Sequence, residues 1–145
     1  MRARGFTMMS MLFILVTLAA LGAALAALSQ RQQLGSAGEL AAAKAYQAAF
    51  AGLEWGSHQV LRASGQPACP FTTRTFTLPD QLSDFTVTIT CNRTPTSGTV
   101  TDDEQALAFY TLVATACNIP NAGCPNGGTT EPTYAERQLS RTLSK

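Results

Sequence analysis

The sequence predicts an α+β protein, in which a long amino-terminal helix, membrane-spanning at first and amphipathic afterwards, packs on a small antiparallel β-sheet. Three observations carry this. No charged residue occurs from Gly5 to Gln30. Apolar residues then recur at the helical period as far as Gly65, and beyond Pro67 the pattern changes to segments rich in Thr, Val, Phe and Tyr. The average composition of the 145 residues, 46% hydrophobic and 13% charged, conceals this division. The length holds one small domain besides the helix. Ten basic residues against nine acidic ones leave a net charge of +1, so there is no electrostatic basis for a nucleic-acid partner.

The run Phe6 to Leu28 would extend roughly 34 Å as a helix at about 1.5 Å per residue, enough to cross a hydrocarbon core of about 30 Å once. Thr7, Ser10 and Thr17 are tolerable within it, because a hydroxyl can bond a carbonyl one turn earlier. Arg2 and Arg4 flank its short side and should stay cytoplasmic, which places the rest of the chain across the membrane. A secretory signal cleaved near Ala27 is the competing reading. Against it, the apolar run exceeds the usual core of about 7–15 residues, and helix formers continue beyond it without a break.

Directly before the run stands Arg4-Gly5-Phe6-Thr7-Met8. This resembles the type IV pilins and pseudopilins, whose leader ends in glycine and whose mature chain begins with phenylalanine. The resemblance implies a leader of residues 1–5, cleavage by prepilin peptidase between Gly5 and Phe6, and methylation of the new terminus at Phe6. A second block, Ala43-Lys44-Ala45-Tyr46-Gln47-Ala48-Ala49-Phe50-Ala51-Gly52-Leu53-Glu54-Trp55-Gly56, is similar to the MshP family, minor pilin-like proteins of mannose-sensitive haemagglutinin pilus biogenesis. The resemblance spans roughly residues 4 to 60. It implies a non-enzymatic, cofactor-free subunit of the inner membrane with its carboxy-terminal domain in the periplasm, extending to the cell surface if it sits at a pilus tip. Its implied partners are prepilin peptidase, other major and minor pilins, the inner-membrane assembly platform and membrane lipid.

One departure bears on mechanism. Major pilins carry glutamate at the fifth mature position, where it neutralises the amino terminus of a neighbouring subunit; counting from Phe6, that position is Ser10. A serine supplies no negative charge, and an unpaired ammonium in low dielectric is costly. This favours a tip or initiating subunit over a shaft subunit. The plain alternative is that Ser10 is a tolerated helix residue in a rare shaft subunit.

From residue 29 to 65 the helix continues outside the membrane. Taking Phe50 as zero, Tyr46, Leu53, Ser57, Val60 and Leu61 fall within about 80° of it, and this face is expected to meet the sheet. Gly35 and Gly38 each cost about 1 kcal/mol in a helix interior and soften it just outside the membrane. Gly22 does the same in the buried half, as a loosening point or as a small helix-contact residue. Trp55 lies about 140° from Phe50, so it is either a subunit contact or a cover for an edge of its own domain. Glu54 and His58 are spaced to pair along the helix, for about 0.2–0.5 kcal/mol.

Gly65 is the expected left-handed cap, and residues 66–145 form the headpiece. Strands are expected at Phe71 to Leu78, Phe85 to Cys91, Leu107 to Cys117 and Tyr134 to Leu143. Four cysteines on the exported side read as two disulfides, with three pairings possible. Cys69 and Cys91 are equidistant from Asp80 in the turn Pro79-Asp80-Gln81-Leu82, so a hairpin would set them opposite each other. Cys117 and Cys124 then close a short loop. The cysteine gaps of 21, 25 and 6 residues do not fit the paired spacing of a structural zinc site, so no metal is expected. His58 stands alone on a helix preceding all four cysteines, no phosphate-binding glycine loop or nucleophile elbow occurs, and Asp102-Asp103-Glu104 reads as a solvated turn.

Overall fold

In the computed structural model, which describes residues 6–65, 67–102 and 105–145, the chain has the α+β layout that the sequence predicts. Helix α1 (Phe6–Arg62) is followed by β1 (Thr73–Thr77), β2 (Thr86–Thr94), a hairpin of β3 (Val100–Asp102) and β4 (Gln105–Leu107), then β5 (Phe109–Cys117) and β6 (Glu136–Ser144). The chain divides into two compact units, Met1–Glu39 and Leu40–Lys145.

The first unit is the apolar part of α1. It includes a segment long and apolar enough to cross a membrane, and its side chains from Met8 to Leu28 are almost all exposed. Thr17 donates its hydroxyl to the Ile14 carbonyl at 2.9 Å, so this polar group does not stand bare among Leu and Val.

In the second unit four strands form one antiparallel sheet in the order β1-β2-β5-β6, and β3-β4 is a separate two-stranded ribbon between β2 and β5. Alternation gives the sheet two unlike faces. Phe76, Val87, Ile89, Cys91, Tyr110, Leu112, Ala114, Ala116, Leu139 and Leu143 belong to the core that meets the helix. The opposite face carries Thr73, Thr75, Thr88, Thr90, Thr111 and Thr142, with cross-strand hydroxyl pairs Thr75–Thr88 at 3.1 Å and Thr111–Thr142 at 3.4 Å.

The helix meets the sheet through its small residues. Ala45, Ala48, Ala49, Gly52, Leu53, Gly56, Ser57 and Val60 are buried, whereas Tyr46 is 51%, Phe50 44% and Leu61 57% exposed. This corrects the expected packing face. Leu53, Ser57 and Val60 belong to it, but its centre is turned from Phe50 toward the alanines and glycines. The physical reason is fit, because the sheet offers large side chains and a close-packed interface needs small ones opposite them. A Cβ on Gly52 would stand 2.5 Å from Val87 Cγ1, and one on Gly56 would stand 2.4 Å from Ile89 Cδ1.

The end of α1 is tied to the far end of the sheet. Lys145 Nζ donates to the carbonyls of Val60 (3.2 Å), Leu61 (3.3 Å) and Ala63, placing a cation at the negative pole of the helix. The Lys145 backbone exchanges two hydrogen bonds with Ala108. Gly65 adopts φ +71°, turning the chain after the helix, and Tyr110 donates its hydroxyl to the Pro67 carbonyl at 2.7 Å.

Cys69 bonds Cys91 and Cys117 bonds Cys124, with Cα separations of 5.9 and 5.7 Å. The first bridge is not the cross-strand pair that symmetry about Asp80 suggests. The observed register, Thr73 opposite Thr90, sets Thr72 against Cys91, whose N–H donates to the Thr72 carbonyl at 3.1 Å. The bridge instead fastens the segment between α1 and β1 to β2.

Gly52 and Gly56 give a test of the close approach. Val87 is β-branched and has little rotamer freedom, whereas Ile89 can turn its Cδ1 aside. Overpacking of about 1–3 kcal/mol should therefore exceed the roughly 1 kcal/mol gained in helix propensity for Gly52→Ala, but be nearly offset for Gly56→Ala. Urea unfolding of the full chain in detergent, followed by Trp55 fluorescence, is expected to show the larger loss for Gly52→Ala.

Candidate functional site

The residues expected to act are spread along α1 and do not converge on a catalytic cleft. Gly5 lies outside the described residues. Phe6 is the first residue of α1. Ser10 is exposed in the apolar part of the helix, and a Cβ on Gly22 would meet nothing within 4 Å. A neighbouring helix could therefore approach closely at Gly22.

Within the second unit the sheet covers one side of α1 and leaves Leu40, Tyr46, Phe50 and Leu61 exposed. Stepping about 100° per residue places all four within about 80° of Phe50, so they form one apolar stripe. Among the described residues this stripe is left largely uncovered, with the Arg141 guanidinium over the Phe50 ring.

Two clusters flank the packed face. On the β1 side, Trp55 lies 5.1 Å from the Phe71 ring and 5.3 Å from the Phe76 ring, at tilts of 44° and 52°. These are ordinary tilted aromatic contacts, each worth about 0.5–1.5 kcal/mol beyond burial. Trp55 thus covers the edge of its own sheet, the second of its two expected roles. On the β6 side, Arg141 bonds Glu54 Oε1 at 2.8 Å and Ser57 Oγ at 3.3 Å, and its guanidinium lies 5.6 Å from the centre of the Phe50 ring. The Glu54 partner is therefore Arg141, not His58. With both ends substantially exposed the ion pair itself contributes only about 0–1 kcal/mol, and the stacking on Phe50 orients it. Sequence periodicity misses Arg141 and Lys145 because their partners are some 80 residues away; their only local signal is alternation with Leu139 and Leu143 in a polar strand.

All four cysteines are bonded, and among the described residues no group of three or more His, Cys, Asp or Glu is arranged to hold a metal ion. The connection from β5 to β6 is pinned by side chains. Asn118 Nδ2 donates to the Thr133 carbonyl at 2.8 Å while its Oδ1 accepts from Ala135 N at 2.9 Å, and Asn126 Nδ2 donates to the Ile119 carbonyl at 2.9 Å. Tyr134 accepts from Asn126 N at 3.0 Å and donates to Glu136. Burial of this hydroxyl, with its bond to the Glu136 carboxylate, raises the Tyr134 pKa above its ordinary 10.0.

Comparison with models of protein families, with curated proteins and with solved structures finds no match to this chain.

The Tyr134 shift has a defined sign. Its folded pKa exceeds the unfolded value, so its contribution is complete below about pH 10 and is lost as pH rises toward the folded pKa. Tyr134→Phe should flatten that alkaline decline and also lower stability near neutrality by about 1 kcal/mol, because Asn126 N loses its acceptor. Thermal melting between pH 7 and 11 measures both effects.

Proposed function

We propose that this chain is a non-enzymatic minor pilin or pseudopilin of type IV, MSHA-type, pilus biogenesis, working in an initiating or tip complex. The observation that carries the reading is the stripe of Leu40, Tyr46, Phe50 and Leu61, left exposed on a helix whose amino-terminal part is itself apolar and uncovered. A helix that needed only to hold its own sheet would have no use for a second apolar side. Helices of neighbouring subunits would cover both regions, and binding energy, not bond chemistry, is the mechanism.

In this reading prepilin peptidase cuts between Gly5 and Phe6 and Phe6 is methylated. Residues 6–28 hold the protein in the inner membrane, and the headpiece stands in the periplasm. Gly22 admits the close approach of another helix. Ser10 supplies no charge to neutralise the terminus of a subunit docked above it, which suits the end of a filament better than its middle. The motif Arg4-Gly5-Phe6, followed directly by an apolar helix, supports the processing step.

Intact mass of the protein expressed with and without a prepilin peptidase tests the reading. The expected result is a chain beginning at methylated Phe6 only when the peptidase is present. An uncut chain in both cases would replace it with a membrane-anchored scaffold or sensor, and a start near residue 28 with a secreted protein. The tip role has a separate test in Ser10→Glu, which should let further subunits stack above this one. Unchanged filament number and composition would remove the charge argument.

A further inference from the structure

The four-stranded sheet has two edges, β1 and β6. In an antiparallel ladder a strand turns the N–H and C=O of alternate residues toward its neighbour and those of the intervening residues away from it. Thr72 and Cys91 form a bonded pair, since Cys91 N donates to the Thr72 carbonyl, so the register puts Arg74 and Phe76 in the set that bonds β2. The N–H and C=O of Thr73, Thr75 and Thr77 therefore point out of the sheet. These three residues are exposed, and among the described residues no strand pairs with this side of β1. A row of backbone donors and acceptors is left to water there.

Beside that edge, on the helix side, Trp55, Arg74, Thr75 and Phe76 line a hollow of about 350 Å³. Trp55 and Phe76 form its apolar wall, their ring centres 5.3 Å apart. Arg74 is exposed and, among the described residues, forms no ion pair. The helix-side positions of the two edge strands carry Arg74, Arg137 and Arg141 and no carboxylate. A second copy of this chain pairing through either edge would bring more positive charge to the face that holds Arg74, and like charges across strands are destabilising. An inward charge on an edge strand turns away most strands, yet it selects one that supplies the opposite charge.

We infer that the free edge of β1 takes up an extended acidic and apolar segment of another protein as a further antiparallel strand. Alternate residues of that segment exchange backbone hydrogen bonds with Thr73, Thr75 and Thr77. Between them, an apolar side chain opposite Phe76 enters the hollow beside Trp55, and a carboxylate opposite Arg74 pairs with the guanidinium. Strand addition of this kind draws affinity from main-chain bonds and specificity from the alternating side chains. The Cys69–Cys91 bridge and the packing of Phe71 on Trp55 hold the segment that leads into β1, so the edge is preformed and little ordering is required on binding. The inference does not rest on the filament reading.

Trp55 is the sole tryptophan, and its fluorescence reports on the hollow. The test is a titration of the full chain in detergent micelles with the capped peptide Ser-Thr-Leu-Thr-Glu-Thr-Ser, beside a peptide with lysine in place of glutamate. Saturable binding of the glutamate peptide in the high-micromolar range is expected, with slowed hydrogen exchange at the Thr75 amide and the lysine peptide about tenfold weaker. Arg74→Glu, at an exposed position, should reverse the order of the two peptides with an unchanged melting temperature. Methylating the backbone nitrogen of the peptide's central threonine should abolish binding, whereas methylating that of its glutamate, whose N–H faces away from β1, should change it by less than about twofold. No saturable binding of the glutamate peptide, equal binding of the two peptides, an order unchanged by Arg74→Glu, or equal effects of the two methylations would overturn the inference. So would a dimer of the chain in which the Thr75 amide already exchanges slowly without peptide.

Discussion

The contact on which the headpiece depends is the close approach of α1 to β2 and β5 at Gly52 and Gly56. Without side chains at these positions, Val87 and Ile89 reach the helix backbone, and Ala114 and Leu112 fill the space beside them. Ala45, Ala48 and Ala49 continue the same shallow surface along the helix. Large residues are concentrated on the sheet and small ones on the helix, so the interface packs densely although, among the described residues, α1 contributes Leu53 and Val60 alone as sizeable buried aliphatic groups. The bulky residues of the helix are displaced to its flanks by the same arrangement. Trp55 goes to the β1 side and Phe50 to the β6 side, where each meets a partner suited to it.

The four-stranded sheet, in which β2, β5 and β6 are each 9 residues long, is stabilised by burying its apolar face on α1, and further ties reinforce it. The bridge from Cys69 to Cys91 anchors the segment leaving the helix, and that from Cys117 to Cys124 anchors the segment leaving β5. Each stabilises by about 2–4 kcal/mol, chiefly by restricting the unfolded chain. The last strand then returns to the helix, where Arg141 bonds Glu54 and Ser57 and Lys145 caps the carbonyls of Val60, Leu61 and Ala63. Because β6 pairs only with β5, these side-chain bonds also hold an edge strand in place, and its arginines discourage pairing with another chain.

The molecule presents two contrasting outer surfaces. The exposed stripe on α1 is apolar, and the outer sheet face is rich in threonine, with Glu136 at its β6 edge. The proposed pilin role uses the first, through burial of apolar area between helices. The apolar stripe is the surface of α1 left over after the small-residue interface is formed.

The helix, the change to strands after Pro67 and the even set of cysteines are legible in the sequence, because each is written in local periodicity, turn chemistry and composition. The β3–β4 ribbon is not, since its three-residue strands are too short to show alternation. Hydropathy also assigns the wrong centre to the helix face, by ranking Phe50 and Tyr46 above alanine and glycine. Which side of a helix is buried depends on the shape opposite it, and Val87 and Ile89 are not neighbours of Gly52 and Gly56 in the chain. The Cys69–Cys91 bridge illustrates the same division, because equal distances from Asp80 point to the pairing but the sheet register places Thr72, not Cys69, beside Cys91. Sequence alone therefore determined the elements, their order and the apolar anchor-like segment. Tertiary structure decided the packed face, the partners of Glu54 and Trp55, and the placement of the connection from β5 to β6, where Cys124 N bonds Thr88 Oγ1, because each depends on contacts between residues far apart in the chain.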